Sequence, residues 1–586
     1  MRQWMVAAKK ADFYAIAEKF HVDPVVARII RNREVIGEKN IRIYLGGNLS
    51  DLSDPHQMKD MDRLVEILAQ KIRKQVHIRI IGDYDVDGVT SSHLFLMALR
   101  RVGAKVDVVI PHRIQDGYGL SLHLLQQAKE DGVDTILTCD NGIAAIDEIA
   151  WAKAQKMTVL VTDHHAVPFE EHEGRRTEKK SLADAVVNPH QQDCRYPYKE
   201  LCGAGVAWNV IRVLYENYDM DKREAEDLLD FVAMATVCDV MSLTGENRIL
   251  VKEGLKRIRH TKNIGLQALM QACNVQPENI SAYHFGYVLG PCVNATGRLD
   301  TARHALRLFE TGQETEAEEI ARDLVDLNQE RKELTLQGVE MAKKLCEEGG
   351  YEKDPVLVLF LPDVHESIAG LIAGRIREMY NRPVFVLTRG EEGVKGSGRS
   401  TENYSMYENM CGCAELFTKF GGHPMAAGLS LPEENVEKFR RKINENCPLT
   451  VEEVCPDIHI DMAMPVGYAS TELVHQFALL EPFGKDNPSP LFADRNLSIS
   501  RMWVIGKNRN VLRMSVLSEY GQPVPVIFFG DVETLFAYFT EKFGQKEVEN
   551  ALHGRKNRIL FSMVYTAKVD FYQGNENLQL EMKYYR

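Results

Sequence analysis

Three aspartates, Asp83, Asp85 and Asp87, occupy alternate positions in "IRIIGDYDVDGVTSS", directly after an apolar run. In an extended segment alternate residues share a face, so these charges repel one another. A divalent cation gives that repulsion a use, provided further ligands converge from elsewhere in the chain. Candidates follow other apolar runs: Asp140 in "TCDNG", Asp163, His164 and His165 in "VTDHH", and Asp239 in "ATVCDVMS". Each has an ordinary explanation when taken alone. An aspartate after a strand most often caps a helix, and paired histidines are more often loop residues than ligands. Together they supply carboxylates and an imidazole in numbers sufficient for two ions. Oxygen-rich sites with a histidine suit Mn²⁺ or Mg²⁺ better than a thiolate-seeking metal.

These residues need a scaffold that brings distant segments together. "VHIRIIG", "KVDVVIP", "DTILTC", "MTVLVT" and "DAVVNP" are short β-rich runs separated by helix-like segments. That alternation predicts a doubly wound parallel sheet. Every candidate ligand but Asp239 then lies just past the carboxyl end of a strand, the edge where open α/β sheets bind ligands. A long charged amphipathic stretch without proline, 304–348, predicts a connecting helix broken near Thr311-Gly312. A second, smaller α/β unit follows with "PVLVLFLP" and "RPVFVLT" as strands. From about Cys455 short strands with polar turns predict a small β-barrel or sandwich. The domain division expected is a helical N-terminal segment 1–74, a catalytic α/β domain 75–300, a connecting helix 301–350, a second α/β domain 351–450 and a β domain 455–586.

Composition narrows the class. At 586 residues the chain holds several cores. No run approaches the ~18 apolar residues of a membrane span, so no membrane association is expected. The eleven cysteines are scattered and odd in number, which fits a reducing cytoplasm better than a disulfide framework or a zinc site. A net charge of −13 argues weakly against a general nucleic-acid coat, but it leaves room for a local basic groove.

The ordered set "GDYDVDG", "TCDNG", "TDHH" and "ATVCDVM" resembles the signature of the DHH phosphoesterases. "IPHRIQDGYGL", "CGAGVAW", "NATGRLD", "HESIAGLIAGRI", "KGSGRS" and "FGGHPMAAG" narrow the resemblance to the bacterial single-strand-specific exonucleases of that family. The resemblance implies a DHHA1-type second domain and a C-terminal OB-like barrel. It also implies that Asp83, Asp85 and Asp140 hold one ion and Asp87, His164 and Asp239 the other, with Asp140 bridging. Many relatives begin the first motif with histidine; Asp83 takes that place here. His165 would lie beside the scissile phosphate, with Asp163 orienting its loop. Arg113 and Arg298 would face the charge that develops on the phosphorus.

"KGSGRS" and "FGGHPMAAG" are expected to be glycine-rich loops that present backbone amides to an anion. The resemblance makes Ser397, Arg399, Gly422 and His423 a pocket for a strand end, and adds Asn294 to the nucleic-acid contacts. In the barrel, Trp503 with Lys507, Arg509 and Arg513 could make a stacking groove. Two positions depart from the family pattern: Ser367 replaces a glycine, and Lys485-Asp486 precede Asn487 where a glycine is expected in the second place.

The activity implied is a Mn²⁺- or Mg²⁺-dependent 5′→3′ exonuclease that hydrolyses single-stranded DNA to mononucleotides in recombination and repair. A tunnel between the two α/β units would admit one strand. A single-strand-binding protein and a RecQ-type helicase are the expected partners. A DHH phosphodiesterase for oligoribonucleotides or cyclic dinucleotides is a first alternative, disfavoured by the additional barrel. A non-catalytic single-strand-binding factor is a second, disfavoured by the complete ligand set.

Overall fold

The computed structural model describes residues 3–113, 116, 117, 119–172, 175–351, 353–390, 393–506, 510–572 and 574–586. Two compact units emerge, and they do not follow chain order. One is Asn48–Pro456; the other joins Gln3–Gly47 to Asp457–Arg586.

The first unit is built on five strands, β1 (His77–Ile81), β2 (Lys105–Val109), β3 (Thr135–Cys139), β4 (Thr158–Thr162) and β5 (Ala185–Val187). They pair in the order β2-β1-β3-β4-β5, every pair parallel. The central runs β1, β3 and β4 are mostly apolar because both their faces are covered. Leu137, Cys139 and Leu160 enter one core, whereas Ile136, Val159 and Val161 enter the other. The chain leaves β1 towards β2 and returns on the other side as β3. The crevice at the carboxyl ends of β1 and β3 is therefore the topological switch point, where this architecture binds ligands.

Helix α1 (Val86–Arg101) starts straight after β1, with Asp85 as its N-cap accepting from Gly88 N at 3.0 Å. Helices α2 (Gly203–Asn217) and α3 (Leu229–Cys238) pack against α1. Helix α4 (Gly290–Leu299) follows a single π turn over Phe285–Leu289. A short helix ends at Glu310, and the 35-residue α5 (Glu314–Glu348) begins four residues later, so the expected break near Thr311-Gly312 is present.

Beyond α5 lies a second sheet of β6 (Leu357–Phe360), β7 (Val384–Arg389), β8 (Val394–Arg399), β9 (Lys419–His423) and β10 (Ala426–Leu431), in the order β9-β10-β8-β7-β6. Here the structure corrects the sequence reading. "KGSGRS" and "FGGHPMAAG" are not loops: the first is strand β8 and the second a β9–β10 hairpin. Glycine weakens a strand but lets another group approach its backbone. In register, Ser397 faces Gly428, which faces Gly421, leaving a floor with almost no side chains across three strands.

The second unit pairs β11 (Phe492–Ile505), β12 (Val511–Leu517), β13 (Pro523–Phe529), β15 (Asn575–Tyr585) and β14 (Leu560–Tyr572) in that order, and β14 pairs back to β11. The first and fourth strands joining, and the third and fifth running parallel, give the OB order of strands. The N-terminal residues expected to be helical form helices Phe13–Phe20, Pro24–Asn32 and Glu38–Gly46, plus a short strand Trp4–Val6 that pairs with Ile458–Ile460. Their apolar faces enter the barrel's core: Val26, Ile29, Ile30 and Tyr44 cluster with Phe477, Phe492 and Leu480. Arg33 grips Asp461 through two bonds of 2.7 and 3.1 Å, with both side chains under 10% exposed. Asp461→Ala strands that guanidinium in a dry site and should cost about 3 kcal/mol, read as a lower denaturation midpoint for this unit. Arg33→Met with Asp461→Leu should recover most of the loss.

The two departures from pattern are both accommodated. Asp486 takes φ 59 in the tight turn bridged by Gly484 and Asn487; an Asx side chain tolerates this left-handed region. Ser367 Oγ bonds His365 Nδ1 at 2.7 Å, and the Ser367 carbonyl accepts from Arg298. No helix among the described residues is long and apolar enough to cross a membrane.

Candidate metal centre and anion cavity

The six acid and imidazole candidates converge at the switch point. Ligand atoms of Asp83, Asp85 and Asp140 lie within 4.8 Å of one another, as do those of Asp87, His164 and Asp239, and those of Asp140, His164 and His165. His164 Nε2 stands 3.0 Å from Asp140, and 3.6 Å from both Asp87 and Asp239. Asp140 thus belongs to the Asp83/Asp85 set and lies against His164 of the other. Its backbone is held at φ 61, and a Cβ on Gly203 would come within 2.6 Å of its side chain. The α2 N-terminus needs that glycine to approach so closely. Gly203 N and Ala204 N donate to Asp87 at 2.6 and 2.7 Å, so a helix dipole fixes this carboxylate.

The electrostatics are those of a cation site. Burial, then the neighbouring carboxylates, push Asp140 well above the usual carboxylate range, and Asp83 likewise; burial and Asp87 push Asp85 up. Burial pushes the His164 imidazole down, favouring the neutral form that ligates metal. Asp83 Oδ1 and His164 Nε2 are buried without a hydrogen-bond partner. Buried acceptors in this condition are costly, and a divalent cation satisfies them. The donor set fits one hard ion at Asp83/Asp85/Asp140 and a second at Asp87/His164/Asp239.

Asp163 does more than anchor its loop. It accepts from Ile143 N, His164 N and His165 N at 2.9, 2.7 and 3.0 Å, and meets His165 Nδ1 at 2.8 Å. Burial opposes charge on His165, but the Asp163 bond outweighs it and lifts the imidazole to about 9. In the metal-free protein His165 is thus held as a cation, with Nδ1 engaged by Asp163. A group whose folded pKa is raised keeps its charge below that value and loses it as pH rises through it. Asp163→Asn removes the partner carboxylate, so the alkaline limb of kcat/KM should move to lower pH. An unmoved limb would assign the titration elsewhere.

Beside the metal centre is a cavity of about 500 Å³ between the two sheets of this unit. Arg113, Arg298, Lys395, Arg399 and Lys419 line it. Glu366, the single carboxylate among the described lining residues, pairs with Lys395 at 2.8 Å. Burial first, then Arg113, Arg331 and Arg399, lower Arg298 to about 9; burial and Arg377 lower Arg399. Crowded cations that depress one another call for an anion. Arg298 Nη1 donates to Ser367 O at 2.6 Å, and Arg113 stacks over Tyr84 at 4.6 Å.

Of the residues expected in this pocket, Ser397 and Arg399 line it; Gly422 and His423 continue along β9, exposed and outside the lining. Asn294 instead accepts from Val86 N at 3.2 Å, bracing the metal loop. Tyr84, Lys395, Lys419 and Phe420 were not anticipated. Strand period would have found Lys395, two and four residues from Ser397 and Arg399 on the same face. In the other unit Trp503 is 37% exposed, with Arg501 over its ring at 5.7 Å and Arg513 opposite it across the ladder. Lys507 and Arg509 lie outside the described residues.

A parallel sheet with this acid-and-imidazole set at its switch point, followed by a long helix and a second sheet, defines a phosphoesterase of the DHH class. The sequence profile of the DHH family N-terminal domain matches residues 77–236, the DHHA1 domain 353–447 and the RecJ OB domain 460–584. The single-stranded-DNA-specific exonuclease RecJ of Haemophilus influenzae is 32% identical over 96% of this chain and 96% of its own length. That of Bacillus subtilis is 33% identical over 87% of this chain, which spans 63% of that longer protein. The crystal structure of RecJ from Thermus thermophilus in complex with Mn²⁺ superimposes with a TM-score of 0.81 at 25% identity, covering all of this chain and 79% of that one. The chain belongs to the RecJ family.

Proposed function

We propose that the protein is a two-cation 5′→3′ exonuclease that removes mononucleotides from single-stranded DNA. The observation that carries this reading is the adjacency of the ligand set to a cavity lined by five cationic side chains, so that an end held in the cavity sets which phosphodiester meets the metals. When bound, Mn²⁺ or Mg²⁺ at Asp83/Asp85/Asp140 and Asp87/His164/Asp239 activates water and neutralises charge at the reacting phosphate.

The chain's own residues do the rest. The glycine floor of β8, β9 and β10 lets a phosphate lie against backbone while Arg399 and Arg298 offer planar forks that match its oxygens. Arg113, stacked on Tyr84, faces the same space, and Tyr84 joins the cavity to the aspartates on either side of it. His165, charged and oriented by Asp163, stands where it can donate a proton to the departing sugar oxygen. Asn294 keeps the loop between Asp85 and Asp87 in place. In the other unit, Trp503 with Arg501 and Arg513 offers a stacking surface for the strand.

In this reading 75–300 is the catalytic domain, 301–350 the connecting helix, 351–450 the end-binding domain and 455–586 the barrel. The enzyme works in the cytoplasm, consistent with eleven free cysteines, beside a single-strand-binding protein and a RecQ-type helicase. The deciding experiment digests 5′-labelled and 3′-labelled single strands with and without Mn²⁺. Immediate release of the 5′ label as a mononucleotide, with the 3′ label retained in a shortening ladder, is expected. Prior loss of the 3′ label, or cleavage of dimers alone, sinks the reading.

A further inference from the structure

Helix α4 is buried on all sides but one. Within Gly290–Leu299 only Pro291, Asn294, Arg298 and Leu299 are not fully buried. The first three are spaced three and four residues apart, one stripe of a helix. That stripe runs from Arg298 in the anion cavity, past Asn294 on the metal loop, to Pro291. Continued upstream in steps of four it meets Tyr287 and Tyr283, which are 71% and 63% exposed. Their rings stack, with centroids 5.1 Å apart and planes inclined by 23°.

The π turn at Phe285–Leu289 explains the stack. An i→i+5 turn holds more residues than an α turn, so residues four apart lie more nearly above one another. The turn is pinned beside the metal centre. The Cys238 thiol donates to Phe285 O at 3.3 Å, and Cys238 immediately precedes Asp239. Single-turn π bulges recur at functional sites, and large exposed aromatic faces have little structural use.

We infer that Tyr283 and Tyr287 form a stacking platform for the bases of the single strand on the 3′ side of the scissile phosphate. The inference rests on the exonuclease reading, which puts the 5′ end at Arg298 and the reacting phosphate near Asn294. From Asn294 to Tyr287 is seven residues, about 10 Å of helix, or about three nucleotides at the ~3.4 Å stacked repeat. A strand laid along the stripe therefore delivers its third or fourth base to the tyrosines. Every base has a π face, so such a platform grips any sequence. Successive bases can join the stack as the end advances.

The test uses full-length protein and 5′-phosphorylated strands carrying 2-aminopurine at single positions, first in EDTA so that fluorescence reports stacking without cleavage. Quenching is expected to peak at the third to fifth nucleotide, to vanish in Tyr283→Ala/Tyr287→Ala and to persist in Tyr283→Phe/Tyr287→Phe. Leucines at both positions should not restore it. With Mn²⁺, the KM of the alanine variant for a 12-mer should rise about tenfold relative to its KM for a trimer. Equal quenching in wild type and alanine variant, or equal KM changes for trimer and 12-mer, overturns the platform. Wild-type protein that quenches the probe yet leaves every strand intact retains the platform and refutes the nuclease reading instead.

Discussion

Asp140→Asn lowers turnover of single strands by about 10⁴-fold or more, while strand binding stays within about threefold. Asp140 completes the Asp83/Asp85 set, stands 3.0 Å from His164 of the other set and is 2% exposed. An amide keeps the shape but brings no charge to a cation. The same substitution carries a second, opposite signature. Burial and four neighbouring carboxylates raise the Asp140 carboxyl in the metal-free protein. A carboxyl raised on folding favours the fold while protonated, and that contribution is lost as pH climbs from the unfolded value through the folded one. At neutral pH its charge therefore destabilises the metal-free fold, and asparagine should raise the melting temperature in EDTA. Mn²⁺ should then stabilise the wild type more than the variant. Thermal melts with and without Mn²⁺, beside single-turnover assays, read both effects. A variant that still turns over displaces Asp140 from the centre.

Arg399→Ala lowers kcat/KM on 5′-phosphorylated strands by about 10²-fold, with kcat within about threefold. Arg399 shares one strand face with Lys395 and Ser397, and its carbonyl-bonded guanidinium is already depressed by burial and then by neighbouring cations. An end phosphate relieves that repulsion and gains bonds with geometric specificity. Strands with a 5′ hydroxyl should lose far less, because they never engaged the anion site. Arg399→Lys should recover only part of the loss, since a point charge lacks the fork. Equal losses on both substrates would move Arg399 out of end recognition.

The first sheet was legible because its central strands are buried on both faces and read as mostly apolar runs; each strand was placed within a residue or two. The ligand set was legible because strand ends in a parallel sheet converge on one edge, so position along the chain translates directly into position in space. Other features were hidden for physical reasons. Glycine-rich β8 and β9 look like loops because glycine disfavours strands on average, yet here bare backbone is what the cavity uses. Lys395 and Lys419 were hidden because a lysine on a short strand looks like any solvated charge until the fold sets it beside a cavity. Tyr84 was overlooked between two more conspicuous aspartates. The π turn has no sequence signature of its own.

The N-terminal helices were correctly expected to be amphipathic, but periodicity says only that a face is buried, not against what. Val26, Ile29 and Tyr44 give no hint that their neighbours are Phe492 and Leu480, more than four hundred residues on. That separation has a consequence for biogenesis. Domains emerging from a ribosome usually fold in the order made, yet Gln3–Gly47 leaves first and its packing partners leave last. These helices must wait, greasy side uncovered, while the whole catalytic unit is synthesised and folds between them and their destination. A nascent chain stalled before Phe492 should recruit chaperones at its leading end, and the isolated C-terminal barrel should prove poorly soluble until residues 3–47 are supplied as a separate peptide.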